Sequence, residues 1–260
     1  MDPYLRPLHL LLVLAPLIVA AQAPPGQPVV PGAADAGSKT WVGRYAEIEE
    51  YLRTAECVTI DLQKSDPQGA PTHVRCGLRP GGPFARLLWK SALPGISRGF
   101  RGSYKSEIAA YEVDKLLKMD MVAPAVERNF KGIAGTAVLW VEKTAPYDGE
   151  PPSGQARERW NRQVARMVMF DRLIGNESRN PNNMLLDGAG NLILIDHSRA
   201  FGVGADLPPE RGEVDREYWT RIEALTRAQL DAALRPWLDE EQIAAILARR
   251  DRMRADIGRR

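Results

Sequence analysis

Residues 176–202 read NESRNPNNMLLDGAGNLILIDHSRAFG, and the fold is decided here. Two short apolar runs, Met184–Leu186 and Leu192–Ile195, flank DGAGN, a turn-forming set, so the centre of the stretch reads as a β-hairpin. Asn183 stands just before the first strand and Asp196 at the end of the second. A hairpin with Asn at its start and Asp at its exit can bring two hard oxygen ligands to one metal ion. Asp187, Gly188 and Gly190 alone would make only an ordinary hairpin turn. The surroundings add to it: an Asn-rich loop before the hairpin, an amphipathic helix before that loop, and a lysine and a helix glutamate far upstream.

Moving outward, residues 155–174 have helical periodicity, with Trp160, Val164, Met167, Asp171 and Ile174 along one side. Asp171 thus sits inside an apolar stripe, and a buried carboxylate needs partners. Its structural reading is to accept backbone N–H bonds from the following loop; its sharper reading is a catalytic base. Downstream, Thr226 and Gln229 form a capping box with Leu225 and Leu230 as its staple. Ile243, Ile246, Leu247, Met253 and Ile257 share a face of a terminal helix. Arg249, Arg250, Arg252 and Arg254 on that helix read as a solvated face or as a contact for an acidic partner.

Upstream, CVTIDLQ, THVRCGL and FARLLWK alternate and are separated by SDPQGAP and RPGG, which gives three antiparallel strands after a short helix near Tyr45–Arg53. SEIAAYEVDKLLKM is an amphipathic helix capped by Ser103 or Ser106. MVAPAVER and GTAVLWVE complete the sheet, and KTAPYDGEPPSG is a linker. The expected fold class is α+β and bilobal: a small antiparallel-sheet lobe over residues 41–143 and a mainly helical lobe over 144–260.

The 260 residues carry 35 basic and 33 acidic side chains, a formal charge of +2, so no global field points to nucleic acid. Arg6 precedes an apolar run from Leu10 to about Ala21, short of the roughly 20 residues a membrane span needs. Residues 1–21 therefore read as a secretory signal peptide, cleaved after Ala21, and 22–40 as a flexible Pro/Gly/Ala-rich spacer. The expectation is an exported protein, periplasmic or secreted, with no stable membrane span once the signal is removed; the alternative is anchoring by an uncleaved signal. Export permits a disulfide between Cys57 and Cys76, and two buried small apolar side chains are the other reading. His73 and His197 are the only histidines outside the leader, too few for a histidine-based zinc site.

Phosphoryl transfer from a nucleotide needs a lysine and a divalent metal to neutralise the phosphates, and usually an acid to orient the attacking hydroxyl. FDRLIGNESRNPNN followed by LIDHSRAFG resembles the FDxLxGNxDRxxxN and DxxRxFG pattern of atypical kinases that act on extracellular proteins and proteoglycan sugars in the secretory pathway. HipA-like and phosphatidylinositol-kinase-like enzymes share the wider scheme. GSYKSEIAAYEVDKLL and the LLWK strand extend the resemblance over roughly Cys57–Gly202. The resemblance implies a kinase-like fold that binds ATP with Mg or Mn. Lys90 is then similar to the lysine on the nucleotide phosphates, Glu107 to its helix partner, and Asn183 and Asp196 to the two metal-binding positions. Lys90 could otherwise be a solvated strand-edge residue, and Glu107 a complement to the helix dipole. SDPQGAP lies where such kinases cover the phosphates, or is a plain hairpin loop. Leu139–Lys143 would meet the adenine.

One position departs from the pattern: Ser178 stands where the catalytic aspartate belongs. Loss of a general base costs about a hundredfold to ten-thousandfold. Glu177 next to it, or Asp171, is the candidate replacement. Three readings follow: a phosphotransferase acting on an unidentified acceptor, a pseudokinase that regulates or scaffolds a partner protein, and an ATP-dependent nucleotidyl transferase.

Overall fold

The first strand, nine residues at the edge of a sheet, is exposed except at its half-buried first residue, Cys57. The structure, a computed structural model, describes residues 37–66, 68–91, 95–97, 100–208 and 213–259. The signal peptide expected over 1–21, and the spacer up to residue 36, lie outside them. Helix α1 (Tyr45–Thr54) precedes β1 (Cys57–Ser65), β2 (Pro71–Leu78) and β3 (Arg86–Lys90). A two-stranded ribbon, β4 (Gly95–Ser97) and β5 (Phe100–Gly102), leads into α2 (Tyr104–Leu117). Strands β6 (Ala125–Phe130) and β7 (Ile133–Leu139) complete a five-stranded sheet of order β1-β2-β3-β7-β6, antiparallel throughout. The α+β class with an antiparallel sheet stands as expected.

Along β3, alternation divides the strand between two environments, as strand geometry requires. Leu87 and Trp89 are buried in the core, while Arg86, Leu88 and Lys90 face a cavity on the other side. Helix α2 is buried almost all round, because it packs on β6 and β7 with one face and on α4 (Arg216–Glu223) and α5 (Arg227–Leu234) with the other. Ser103 is its N-cap, accepting from Lys105 N at 3.1 Å.

The second half holds β8 (Thr144–Pro146), α3 (Ala156–Ile174), a single 3-10 turn (Pro181–Asn183), the hairpin β9 (Met184–Asp187) and β10 (Leu192–Leu194), and the helices α4, α5 and α6 (Glu240–Gly258). Strands β8, β9 and β10 form a small sheet of their own. Buried residues of both halves, from Trp41 to Ile257, belong to one apolar cluster. Thr226 and Gln229 make the capping box, and Asp239 with Gln242 makes a second at the start of α6.

Two expectations change, and one of two open readings is settled. The spacer expected to reach residue 40 ends earlier: Ser38 N donates to Asp187 Oδ2 at 2.8 Å and Lys39 is buried. Arg249 is no solvated residue. It is 1% exposed and donates to Leu173 O in the last turn of α3 and to Gly202 O and Gly204 O in the loop beyond the hairpin, so it satisfies carbonyls of both segments. Cys57 and Cys76 form a disulfide across β1 and β2, with a Cα–Cα distance of 5.4 Å. Among the described residues no helix is long and apolar enough to cross a membrane.

Candidate functional site

Lys90 ends the central strand β3 and is held from two sides. Its Nζ donates to Glu107 Oε1 and, at 2.9 Å, to Asp196 Oδ1. Glu107 comes from the first turn of α2 and is 4% exposed. Burial opposes the charge on Lys90, but Glu107 and then Asp196 outweigh it and hold the ammonium well above the ordinary lysine value. Burial likewise opposes charge on Glu107, yet Lys90 and then His197 hold that carboxyl well below the ordinary range. The pair is therefore ionised at neutral pH. Residues 17 and 106 positions from Lys90 in sequence thus meet at its amine.

Asn183 and Asp196 flank the β9–β10 hairpin and come side by side because Ile195 N donates to Asn183 O at 3.2 Å. Asp196 has φ +61, a left-handed conformation that Asp tolerates better than most side chains. A residue held there costs on the order of 1–3 kcal/mol, and the surrounding structure has to maintain it. The turn after Asp196 is tied to α2: Ser103 N donates to Ser198 O, Ser106 Oγ to Ala200 O, and His197 N to Glu107 Oε2. Of the Asp196 carboxylate, Oδ1 takes Lys90 and Ser198 while Oδ2 has no donor from the described residues. Asn183 spends its Nδ2 on Ser178 O at 3.4 Å, leaving its side-chain oxygen without one.

Two cavities meet at these residues. The first, about 540 Å³, runs from Lys90, Glu107, Asn183 and Asp196 to Leu139–Lys143. The expected adenine segment is therefore its far wall. Leu88, Val138, Leu185 and Ile195 give it an apolar lining. The second, about 470 Å³, shares Lys90, Glu107, Asn183 and Asp196 and adds Ser178, Asn180, Ser198 and Arg199. Lys64 and His73 border both. His73 pairs with Lys90 across β2 and β3. Burial, then Lys90 and Lys64, push its imidazole down to about 4, so it is neutral at pH 7. The SDPQGAP loop joining β1 and β2 is closed by Asp66, which accepts from Gln68 N and Ala70 N.

The loop after α3 supplies no carboxylate to either cavity. Ser178 borders the second cavity, with its Oγ donating to Asn176 Oδ1 at 2.9 Å. Glu177 is exposed and lines neither cavity. Asp171 is 5% exposed and also lines neither. Its partners are side chains rather than the expected backbone N–H groups: Asn176 Nδ2, and the Nε and Nη2 of Arg179, all within 2.9 Å. The catalytic roles suggested for Glu177 and Asp171 thus have no geometric support.

Arg179 and His197 escaped the sequence reading. Arg179 donates to Asp171, to Asn183 O and Ile195 O at 2.9 Å each, and to His197 Nε2 at 2.8 Å. A guanidinium only donates, so His197 Nε2 accepts and its proton sits on Nδ1, 3.6 Å from Glu107 Oε2. Burial lowers the His197 pKa, in keeping with a neutral ring. A continuous polar chain thus joins Lys90, Glu107, His197, Arg179 and Asp171. Arg179 is visible in the sequence only as the arginine that follows Ser178 in the quoted motif.

This arrangement of sheet, helix glutamate, lysine and metal-type hairpin defines a kinase-like protein. The family model for phosphatidylinositol 3- and 4-kinase matches residues 138–215, from β7 through α3 and the hairpin to the cap of α4. The chain is similar to the Golgi casein kinase solved with Mn/ADP bound, at a TM-score of 0.55 and 13% identity, covering 79% of this chain and 73% of that one. It is also similar to hydra Fam20 solved with sugar, at a TM-score of 0.58 and 14% identity, covering 83% and 88%. At such identities the likeness is one of fold. No curated protein sequence matches the chain.

Proposed function

We propose that this protein binds ATP together with Mg or Mn and transfers phosphate to an acceptor bound in the second cavity. The observation that carries the reading is Lys90 held between Glu107 and Asp196 at the junction of two cavities. Asn183 and Asp196 fit a hard cation: each keeps an oxygen free of protein donors, and Mg is usually held by one or two carboxylates plus substrate phosphates. That fits the lack of any cluster of three or more His, Cys, Asp or Glu ligands among the described residues. The metal, when bound, supplies charge neutralisation on phosphate oxygens. Lys90 adds a fixed cation there, Glu107 keeps it aimed, and Leu139–Lys143 offers backbone groups to the base. With Ser178 engaged by Asn176, the transfer rests on positioning and charge: the acceptor oxygen takes the terminal phosphoryl group, ADP leaves, and the acceptor's proton passes to the transferred phosphate or to water.

The same observation on Ser178 favours a second reading, a nucleotide-binding pseudokinase that regulates or scaffolds a partner. Nucleotidyl transfer from the same bound nucleotide is distinguished by its product. Export, proposed from the signal-like leader, is supported by the Cys57–Cys76 disulfide, since such bonds persist in oxidising compartments. Melting with millimolar ATP and Mg tests nucleotide binding: a rise of several degrees is expected for the wild type and none for Asp196→Ala, and an unmoved wild type refutes the proposal. Labelled transfer tests catalysis, with Ser178→Asp expected to gain about a hundredfold or more. Should both proteins bind ATP and neither transfer label, the regulator is the function. Mass spectrometry of the product separates a phosphate adduct from a nucleotidyl one.

A further inference from the structure

Away from the Lys90 cavities, a third cavity of about 420 Å³ lies between Lys39 and the first turns of α3. Its wall is cationic, with Lys39, Arg159, Arg162 and Arg166 together, and Met119 and Met121 give it an apolar side. None of these residues borders the two cavities described above. We propose that this cavity is a binding site for a phosphate-type oxyanion, free or carried on a small organic molecule.

The charge accounting points to an anion. Arg162 is paired with Glu158 and Arg166 with Asp215 and Glu217, so these two are largely neutralised by their own partners. Arg159 has no carboxylate partner among the described residues; it donates to Ala189 O and to Asn191 Oδ1. Lys39 is 9% exposed, and none of the described residues makes a hydrogen bond or ion pair with its amine; Asp114, Asp120 and Asp187 act on it only from farther off. An isolated buried ammonium is costly and calls for a counter-charge. The carboxylates around it favour its charge but do not fully offset its burial. Asp187 accepts from Ser38 N, Ala189 N and Asn191, and Asp120 from Tyr45 OH. Asp114 accepts from Met121 N and Val122 N, and burial raises its pKa to about 7, so it is only partly charged. Glu158, the acid on the cavity wall, has a side chain 85% exposed and is screened by solvent.

Arg159, without a carboxylate partner among the described residues, and Lys39, whose carboxylates offset its burial only in part, supply positive charge for a phosphate-type anion, and the methionine side leaves room for an organic body. Burial brings the Lys39 amine down to about 8, and a bound anion would restore its charge. Asn191 and Gln163, on the same wall, also hold the turn of the β9–β10 hairpin, through Asp187, Gly190 O and Leu192 N. An anion there braces the back of the hairpin that carries Asn183 and Asp196.

The test is melting of the full chain against inorganic phosphate and, separately, glucose 6-phosphate at constant ionic strength. At ten times the dissociation constant a rise of about 3 °C is expected for the wild type and equally for Lys90→Met. The rise should vanish in Lys39→Met, which replaces a buried charge with an apolar chain of similar length. In Arg159→Gln it should need about tenfold more ligand. A rise that persists in Lys39→Met, one that is lost in Lys90→Met, or none in the wild type overturns the proposal. The probe that saturates at the lower concentration says whether the anion is free or carried. Amine acylation read by peptide mass needs no variant: phosphate should slow labelling of Lys39 several-fold, and unchanged labelling counts against the site.

Discussion

Arg179→Ala is expected to be among the most damaging substitutions in the protein, although Arg179 touches neither cavity. Its side chain is 10% exposed and that of its partner Asp171 is 8% exposed, so the ion pair is buried. Removing one member of a buried pair leaves an uncompensated charge and costs about 3–5 kcal/mol. Asp171 would keep only Asn176 Nδ2 as a side-chain donor, and Ile195 O and His197 Nε2 would lose the donor that Arg179 gives each. Asn183 O would still hold Ile195 N. Against a typical total stability of about 5–15 kcal/mol, a loss near 4 kcal/mol is large. For a chain of this size it corresponds to a fall in Tm of roughly 8–16 °C. Urea melts should show a lower midpoint at unchanged slope. The double variant Asp171→Asn with Arg179→Met removes both charges and should cost clearly less than Arg179→Ala. A loss below about 1 kcal/mol, the scale of an exposed pair, would refute the role assigned to this network. So would a double variant as damaged as the sum of its parts.

Two further outcomes follow from the same structure. His73 titrates at about 4 in the folded protein against an ordinary 6.5, and burial also lowers His197. Below pH 6.5 the unfolded chain therefore binds protons that the folded one refuses, and stability should fall from pH 6.5 towards 4. Glu107, held below the ordinary carboxylate range, keeps its full contribution above about pH 4.5 and loses it only in stronger acid. Melts at pH 7, 6 and 5 check this: Tm should decline, His73→Gln should flatten part of the decline, and a Tm constant over that range contradicts the assignment. The disulfide closes a sequence separation of 19, which the chain-entropy relation converts to about 3 kcal/mol. Reduction should then lower Tm by roughly 6–12 °C, and fully reduced protein that melts at the original temperature would show that the bond adds nothing.

Much of the local structure was legible because it is written in short-range periodicity. Alternation marks β2 and β3, a 3.6-residue pattern marks α3, and Thr226 with Gln229 marks the start of α5. The turn residues between Asp187 and Asn191 place Asn183 and Asp196 at the two ends of one hairpin, so that these two oxygen-bearing side chains lie together was legible from the chain alone. Periodicity says which face of an element is buried, but not what lies against it. The four arginines of α6 looked alike, yet Arg249 is buried and donates to Leu173 O in the last turn of α3. Asp171 was read as buried and in need of partners; that the partner is Arg179 depends on how the loop folds back.

For residues 176–202 the sequence by itself determined the hairpin, the Asn183 and Asp196 that flank it, and the serine at position 178. Tertiary structure alone decided that Lys90 and Glu107 reach Asp196, that His197 and Arg179 tie that site to the loop after α3, and that neither Glu177 nor Asp171 takes over from Ser178. The reason is physical: a hairpin is closed by neighbours a few residues apart, whereas a buried charge is satisfied by whatever distant strand or helix the packing of the core brings to it.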